Sequence, residues 1–152
     1  MRYNSDFAPQ RYNLGNLAIA LGNDEEGRDY YQQAIAIDDQ FYPAKVNLAV
    51  AYSQLGRNRE AERLLREVVT DQPEVYDAAY SLGLLLVELQ NLREAVTYLE
   101  RASRGLPERA RIHYNLGLLY AQLGNIAGAE RELQTAMELE PQNLDFQFGL
   151  AD

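Results

Sequence analysis

The stretch HYNLGLLYAQLGN, residues 113–125, combines apolar side chains at helical spacing with a glycine near its end. A shorter relative of this stretch, VNLAVAYSQLGR, occupies residues 46–57. A glycine that follows the last helical leucine supplies the left-handed residue with which many helices end, so each stretch predicts a helix and the turn after it. Because the two stretches are related, the chain is predicted to contain an internal repeat.

The repeat has a fixed period. Shifting the sequence by 34 residues aligns, without insertion or deletion, YNLG at 12–15, VNLA at 46–49, YSLG at 80–83, YNLG at 114–117 and FGLA at 148–151. The spacing predicts a lead-in at 1–7 and four units at 8–41, 42–75, 76–109 and 110–143. Residues 144–152 are predicted to be either the start of a fifth unit or a capping helix.

Small residues recur at two positions of each unit, counted from the first residue of the unit. Position 8 is Gly15, Ala49, Gly83 and Gly117, and position 20 is Gly27, Ala61, Ala95 and Ala129. Two helices approach closely only where their side chains are small. These positions therefore predict the crossing of a first and a second helix within each unit.

A unit of this length, with tyrosine at position 11 in Tyr52 and Tyr120 and a closing proline at Pro73, Pro107 and Pro141, resembles the tetratricopeptide repeat. The resemblance implies an all-α fold, a right-handed superhelical α-solenoid of antiparallel helix pairs. It also implies that one face of each first helix lines a concave groove.

Departures from the repeat pattern predict local differences. In the third unit Gln90 replaces the turn glycine, so Asn91 is expected to be the left-handed residue there, and Gly105 is expected to end the second helix early. Near the end of the sequence, Phe146 and Phe148 are expected to be exposed and to favour self-association.

Composition excludes several classes of partner. The chain has 23 acidic against 14 basic residues and a net charge of -9, which would repel the phosphates of nucleic acid. No apolar run is long enough to span a membrane, and the first residues lack the layout of a secretion signal, so no membrane partner is expected. A cytoplasmic location is the default, and two interpretations of the chain, a complete protein or a fragment of a longer one, stay open.

The sequence offers little chemistry. It contains no cysteine, and His113 is its single histidine, so the usual pairs of nucleophile and base are lacking. His113 is expected to be a packing or half-exposed residue. We therefore expect no catalytic residues, no cofactor and no metal site.

The predicted site is a stripe on the first helix of each unit, formed by positions at helical spacing. It is expected to bind a protein or a peptide, and it comprises Tyr12, Asn13, Asn16, Val46, Asn47, Val50, Tyr80, Leu84, Tyr114, Asn115 and Leu118.

Asparagine recurs at position 6 of the units, as Asn13, Asn47 and Asn115. This pattern is similar to the asparagine ladder that lines the repeats of O-GlcNAc transferase, and it favours contact with the backbone of a bound peptide. The alternative is that these amides bond within or between neighbouring helices.

Repeat domains that hold a terminal carboxylate use two asparagines surrounded by basic residues. Asn16 and Asn47 resemble that pair, but Tyr12, Asp77 and Ser81 occupy the basic positions. A carboxylate would find no positive charge there, so this kind of site is disfavoured.

The predicted function is that of a protein–protein interaction scaffold. Two alternatives stay open. In the first, the chain is a self-assembling structural element, a homo-oligomer joined through its terminal helices. In the second, it is the recognition arm of a larger enzyme whose catalytic residues lie elsewhere.

Overall fold

Within residues 7–146, which a computed structural model describes, the chain forms eight complete α-helices and no strand. They are α1 (Ala8–Ala20), α2 (Asp24–Ile37), α3 (Tyr42–Gln54), α4 (Asn58–Asp71), α5 (Tyr76–Glu88), α6 (Leu92–Gly105), α7 (Ala110–Gln122) and α8 (Ile126–Leu139), followed by helical residues 144–146. The first helix of each pair begins 34 residues after the previous one, at 8, 42, 76 and 110. The prediction of an all-α solenoid of antiparallel helix pairs is confirmed.

The described helices belong to two compact units, one ending at residue 72 and the other beginning at residue 73. In the N-terminal unit α1 pairs with α2 and α3 with α4, while α2 also packs against α3. In the C-terminal unit α5 pairs with α6 and α7 with α8, while α6 also packs against α7. Each unit thus buries its apolar faces by stacking helix pairs, as repeat proteins do.

The small residues lie at the helix crossings, as predicted. A Cβ atom added to Gly15 would lie 3.1 Å from the carbonyl oxygen of Gly27, and a Cβ added to Gly27 would lie 3.1 Å from that of Gly15. On α5, a Cβ at Gly83 would lie 2.6 Å from Cδ2 of Leu99. A larger side chain at these positions would force the paired helices apart.

The turn within each pair is closed by two backbone hydrogen bonds around a left-handed residue. Gly124 has a φ of 86°, its N–H donates to Ala121 at 3.1 Å, and the N–H of Asn125 donates to Tyr120 at 2.8 Å. Gly22 and Gly56 have equivalent turns, with φ of 83° and 78°. This double closure is the Schellman motif, and it fixes where the left-handed residue must fall.

The third turn corrects a prediction. The left-handed residue is Gln90, with a φ of 64°, and not Asn91, whose φ is -92°. The N–H of Gln90 donates to Val87 at 3.0 Å and that of Asn91 to Leu86 at 2.8 Å, as in the glycine turns. The closing hydrogen bonds set the position of the left-handed residue, so the preference of asparagine for that conformation does not move it.

The prediction that α6 ends early is also wrong. Helix α6 has 14 residues, the same length as α8, and it includes Gly105 as its last residue. The N–H after it, on Leu106, still donates to Ala102 at 2.8 Å. Gly105 is required for another reason, since the ring of Tyr76 occupies the space where its Cβ would lie.

Phe146 is fully buried, which corrects the expectation that it is exposed. It packs with Ala110 and Ala136, and its ring centroid lies 4.8 Å from that of Tyr114. The N-terminal unit contains an equivalent cluster, in which Ala44 packs against Ala8 and Ala34. Phe146 thus takes the place that Ala44 has in that unit. Phe148 lies outside the described residues.

Position 7 of the units carries leucine, and its burial depends on the neighbouring helix. Leu48 on α3 and Leu116 on α7 are 3% and 1% exposed because α2 and α6 pack over them. Leu14 and Leu17 on α1 are 41% and 55% exposed, and Leu21, in the turn after α1, is 68% exposed. The outer face of α1 is therefore an apolar surface that no described helix covers.

Candidate binding surface on the first helix of each pair

The predicted site residues differ in exposure. Val46 is buried, and the exposed members are Asn13, Val50, Leu84 and Leu118. The half-buried members are Tyr12, Asn16, Asn47, Tyr80, Tyr114 and Asn115. The structure brings them together in two groups, one on α1 and α3 of the N-terminal unit and one on α5 and α7 of the C-terminal unit.

In the N-terminal unit the group is joined by hydrogen bonds. The hydroxyl of Tyr31 donates to Oδ1 of Asn16 at 2.6 Å, and Nδ2 of Asn47 donates to the same oxygen at 2.9 Å. Nδ2 of Asn47 also lies 3.4 Å from the hydroxyl oxygen of Tyr12. Side chains from α1, α2 and α3 therefore meet in one polar cluster.

Tyr31 is the functional candidate that sequence reasoning missed. It stands at position 24, where the other units have Leu65, Leu99 and Leu133. The ring of Tyr31 lies directly against Gly15: a Cβ added to Gly15 would be 2.6 Å from Cε1 of the ring. Two features of the sequence could have indicated this role. Tyrosine stands where the other units have leucine, and the same unit has glycine at both small-residue positions, Gly15 and Gly27.

Burial raises the pKa of the Tyr31 hydroxyl above its ordinary value, although the nearby amide of Asn47 partly opposes the rise. Tyr31 therefore stays a neutral hydrogen-bond donor at physiological pH. This donor fixes the position of the Asn16 side chain.

Beside this cluster lies a pocket of about 270 Å³. Its lining carries no ionisable group other than the phenol of Tyr31, and it comprises Asn16, Ile19, Tyr31, Asn47, Val50, Ala51 and Gln54. We call it the amide pocket.

In the C-terminal unit the group is more apolar. Nδ2 of Asn115 donates to the hydroxyl of Tyr80 at 2.7 Å, which links α7 to α5. Burial raises the pKa of Tyr80, an effect that the hydrogen bond from Asn115 partly offsets. Leu84 and Leu118 lie on the same helices and are 38% and 41% exposed.

Charged residues border the C-terminal group. Arg109 forms an ion pair with Asp77, and the guanidinium of Arg111 lies 5.7 Å from the ring centroid of Tyr114 and 5.2 Å from that of Phe146. The apolar stripe of α5 and α7 thus has both basic and acidic groups at its edge.

The amides of Asn47 and Asn115 both bond between neighbouring first helices, whereas Asn13 is exposed. These bonds support the alternative in which asparagine links helices. Because an amide has two donors and two acceptor sites, each side chain keeps bonding capacity for a ligand.

His113 is 8% exposed, and both of its ring nitrogens have partners. Nδ1 lies 2.8 Å from Oε1 of Glu132, and Nε2 lies 2.7 Å from the carbonyl oxygen of Pro107. This side chain holds the turn before α7 against α8. Among residues 7–146 no group of three potential ligand side chains could hold a metal ion, and no helix is long and apolar enough to cross a membrane.

Comparisons with known proteins agree with this architecture. Sequence models described as tetratricopeptide repeat match residues 8–41, 46–102, 80–143 and 114–152. Among curated protein sequences no match is found.

Solved structures show the same fold. MamA from Desulfovibrio magneticus RS-1 is 21% identical, with a TM-score of 0.84 over 98% of this chain and 84% of that one. PilF from Pseudomonas aeruginosa is 24% identical, with a TM-score of 0.88 over 95% of this chain and 66% of that one. A thermophilic tetratricopeptide repeat protein from Thermus thermophilus, TTC0263, is 26% identical, with a TM-score of 0.79 over 95% and 79% of the two chains.

Proposed function

The chain belongs to the tetratricopeptide repeat family, and from that premise we propose that it binds a peptide or an extended partner segment along the first helices of its repeats. The fold is in general that of a protein–protein interaction scaffold. No described residue cluster suggests a reaction, so the proposed role is recognition.

The observation that carries the proposal is the exposed apolar stripe of the C-terminal unit. Leu84 and Leu118 are 38% and 41% exposed beside the half-buried rings of Tyr80 and Tyr114. Exposed leucines next to aromatic rings are typical of binding surfaces, because a partner that covers them removes apolar area from water and packs against tyrosine, a residue type that often contributes strongly to affinity.

The test uses a peptide selected from a random display library on the full chain. We expect the double variant Leu84→Ser/Leu118→Ser to bind that peptide about 30- to 150-fold more weakly, since each leucine loses roughly 1–1.5 kcal/mol of apolar burial. The matched control is Leu89→Ser/Leu123→Ser, whose leucines are 39% and 42% exposed but lie in turns. Equal losses in both double variants would contradict the proposal.

Alanine variants of Asn47 and Asn115 are less informative than the leucine variants. Each asparagine also donates a hydrogen bond to a neighbouring helix, to Asn16 and to Tyr80 respectively. Their removal would disturb the surface and its support together.

A second candidate function is self-assembly, favoured by the outer face of α1. The exposed leucines Leu14 and Leu17 lie on α1, and Phe7 and Leu21, which are 50% and 68% exposed, flank its two ends. If α1 joins two copies, Leu17→Glu/Leu21→Glu should lower the mass measured by sedimentation to that of a monomer. An unchanged mass would reject α1 as the contact.

A further inference from the structure

The amide pocket is lined by two residues at which the first unit departs from the other three, Tyr31 at position 24 and Asn16 at position 9, where the other units have Val50, Leu84 and Leu118. Leu99 and Leu133, at position 24, pack on the position-8 glycines Gly83 and Gly117. Tyr31 replaces that leucine and is 3% exposed. Gly15 leaves room for its ring, which places a hydroxyl where leucine has none.

The hydroxyl of Tyr31 joins the amides of Asn16 and Asn47 in one hydrogen-bonded cluster. Oδ1 of Asn16 accepts from Tyr31 at 2.6 Å and from Asn47 at 2.9 Å, so both of its lone pairs are used. Among the described residues, Nδ2 of Asn16 and Oδ1 of Asn47 have no hydrogen-bond partner of their own. The pair therefore offers one amide donor and one amide acceptor.

The presence of one free donor and one free acceptor does not depend on the orientation of the two amides. If both amides are turned over together, Asn16 donates to Asn47 and to Tyr31, and the roles of the two remaining groups exchange. One donor and one acceptor are left in either arrangement.

We propose that the amide pocket binds the side-chain carboxamide of a glutamine or asparagine carried by the partner segment. A carboxamide supplies an acceptor for Asn16 and a donor for Asn47, whereas a carboxylate supplies no donor and meets no basic side chain in the lining. The inference rests on the proposed function and names a residue type that the bound segment carries.

The size and lining of the pocket suit a side chain. A volume of about 270 Å³ accommodates the end of one side chain, and Ile19 and Val50 add apolar groups to the lining that its stem can contact. A backbone amide carries the same kinds of hydrogen-bonding group, so the two must be compared directly.

The test follows the side-chain amide signals of Asn16 and Asn47 by NMR during titration of the full chain. The probe is N-acetyl-glutamine N-methylamide, and the controls are the glutamate and glycine analogues, which carry a charge or only backbone amides. We expect saturable shifts with the glutamine probe alone. Equal shifts with either control would overturn the proposal.

Two variants test the role of the cluster. Tyr31→Phe keeps the ring and removes the hydroxyl, so the glutamine probe should bind about fivefold more weakly. Asn16→Asp keeps the acceptor and removes the amide donor, and it should abolish the shift that the glutamine probe produces in the remaining amide signal, that of Asn47. Unchanged affinity in a folded variant of either kind would overturn the proposal.

These results separate the inference from the proposed function. If the selected peptide depends on Leu84 and Leu118 but the glutamine probe produces no shifts, the carboxamide assignment fails and the scaffold function stands. If the probe binds while the leucine variants leave peptide binding unchanged, the pocket assignment stands and the apolar stripe is rejected as the binding surface.

Discussion

The ring of Tyr76 lies directly on the backbone of Gly105, at the place where the start of α5 meets the end of α6. A Cβ added to Gly105 would lie 2.2 Å from Cγ of Tyr76, inside any permitted contact. Only glycine fits at position 105 without a shift of the ring, because the Tyr76 ring lies so close to the backbone. The helix around it is regular and ends where the other second helices end.

Gly105→Ala should lower the free energy of unfolding by about 1–3 kcal/mol, because the Tyr76 ring must move to admit the methyl group. Denaturant unfolding measures the change. The control is Tyr76→Leu in the alanine background, which removes the ring and should recover part of the loss. If Gly105→Ala is as stable as the parent chain, the contact with Tyr76 is not as tight as described.

Gln90→Gly should stabilise the chain. Gln90 is held at a φ of 64°, a conformation that costs an ordinary residue about 1–2 kcal/mol, while glycine loses roughly 0.5–1 kcal/mol more entropy on folding. The expected net gain is about 0.5–1 kcal/mol in the free energy of unfolding. Gln90→Ala is the control and should change stability little, since alanine meets the same backbone restriction. A loss of stability in the glycine variant would contradict this assignment.

The sequence was sufficient to predict the helix pairs because the period and the small residues repeat in every unit, and glycine closes three of the four turns. Glycine at 22, 56 and 124 marks the ends of helices, and the crossings follow from position 8 and position 20. These features depend on local preference and on contacts that are the same in each repeat.

The parts that the sequence did not predict depend on single departures from the repeat. The role of Tyr31 depends on a glycine and an amide of α1 and on an amide of α3, so no local pattern indicates it. The left-handed conformation of Gln90 results from turn closure, which overrides residue preference. Phe146 is buried because an alanine-lined surface next to α7 accepts its ring.

Lys45 is the single lysine of the chain and is 5% exposed, and it forms an ion pair with Glu67. Glu67→Gln should lower the free energy of unfolding by about 1–2 kcal/mol, because it leaves a buried ammonium without a carboxylate. Half of the Glu67 side chain is exposed, which keeps the loss below that of a fully buried pair.

Two controls define the cause of that loss. Glu60→Gln removes a solvent-exposed pair with Arg57 and should change stability much less than Glu67→Gln. Lys45→Met in the Glu67→Gln background removes the unpaired charge and should restore stability, as a double-mutant cycle would report. If the methionine brings no recovery, the loss does not arise from the buried charge.

Stability should fall as pH rises above about 10. Burial, together with the Glu100 carboxylate that accepts the hydroxyl hydrogen of Tyr120, raises the pKa of Tyr120 well above its ordinary value of 10.0, and burial also raises that of Tyr31 and Tyr80. In the unfolded chain these phenols lose their protons near pH 10, whereas in the folded chain they keep them. The unfolded state then binds fewer protons, so the free energy of unfolding decreases with pH through this range and is unaffected by these groups below it.

Urea unfolding at pH 8 and pH 11 measures the decrease, and Tyr120→Phe should make it smaller. Tyr30→Phe is the matched control, since the Tyr30 hydroxyl makes no hydrogen bond with a described residue, and it should leave the decrease nearly unchanged. An equal decrease in the parent chain and in Tyr120→Phe would show that the buried hydroxyl of Tyr120 does not retain its proton.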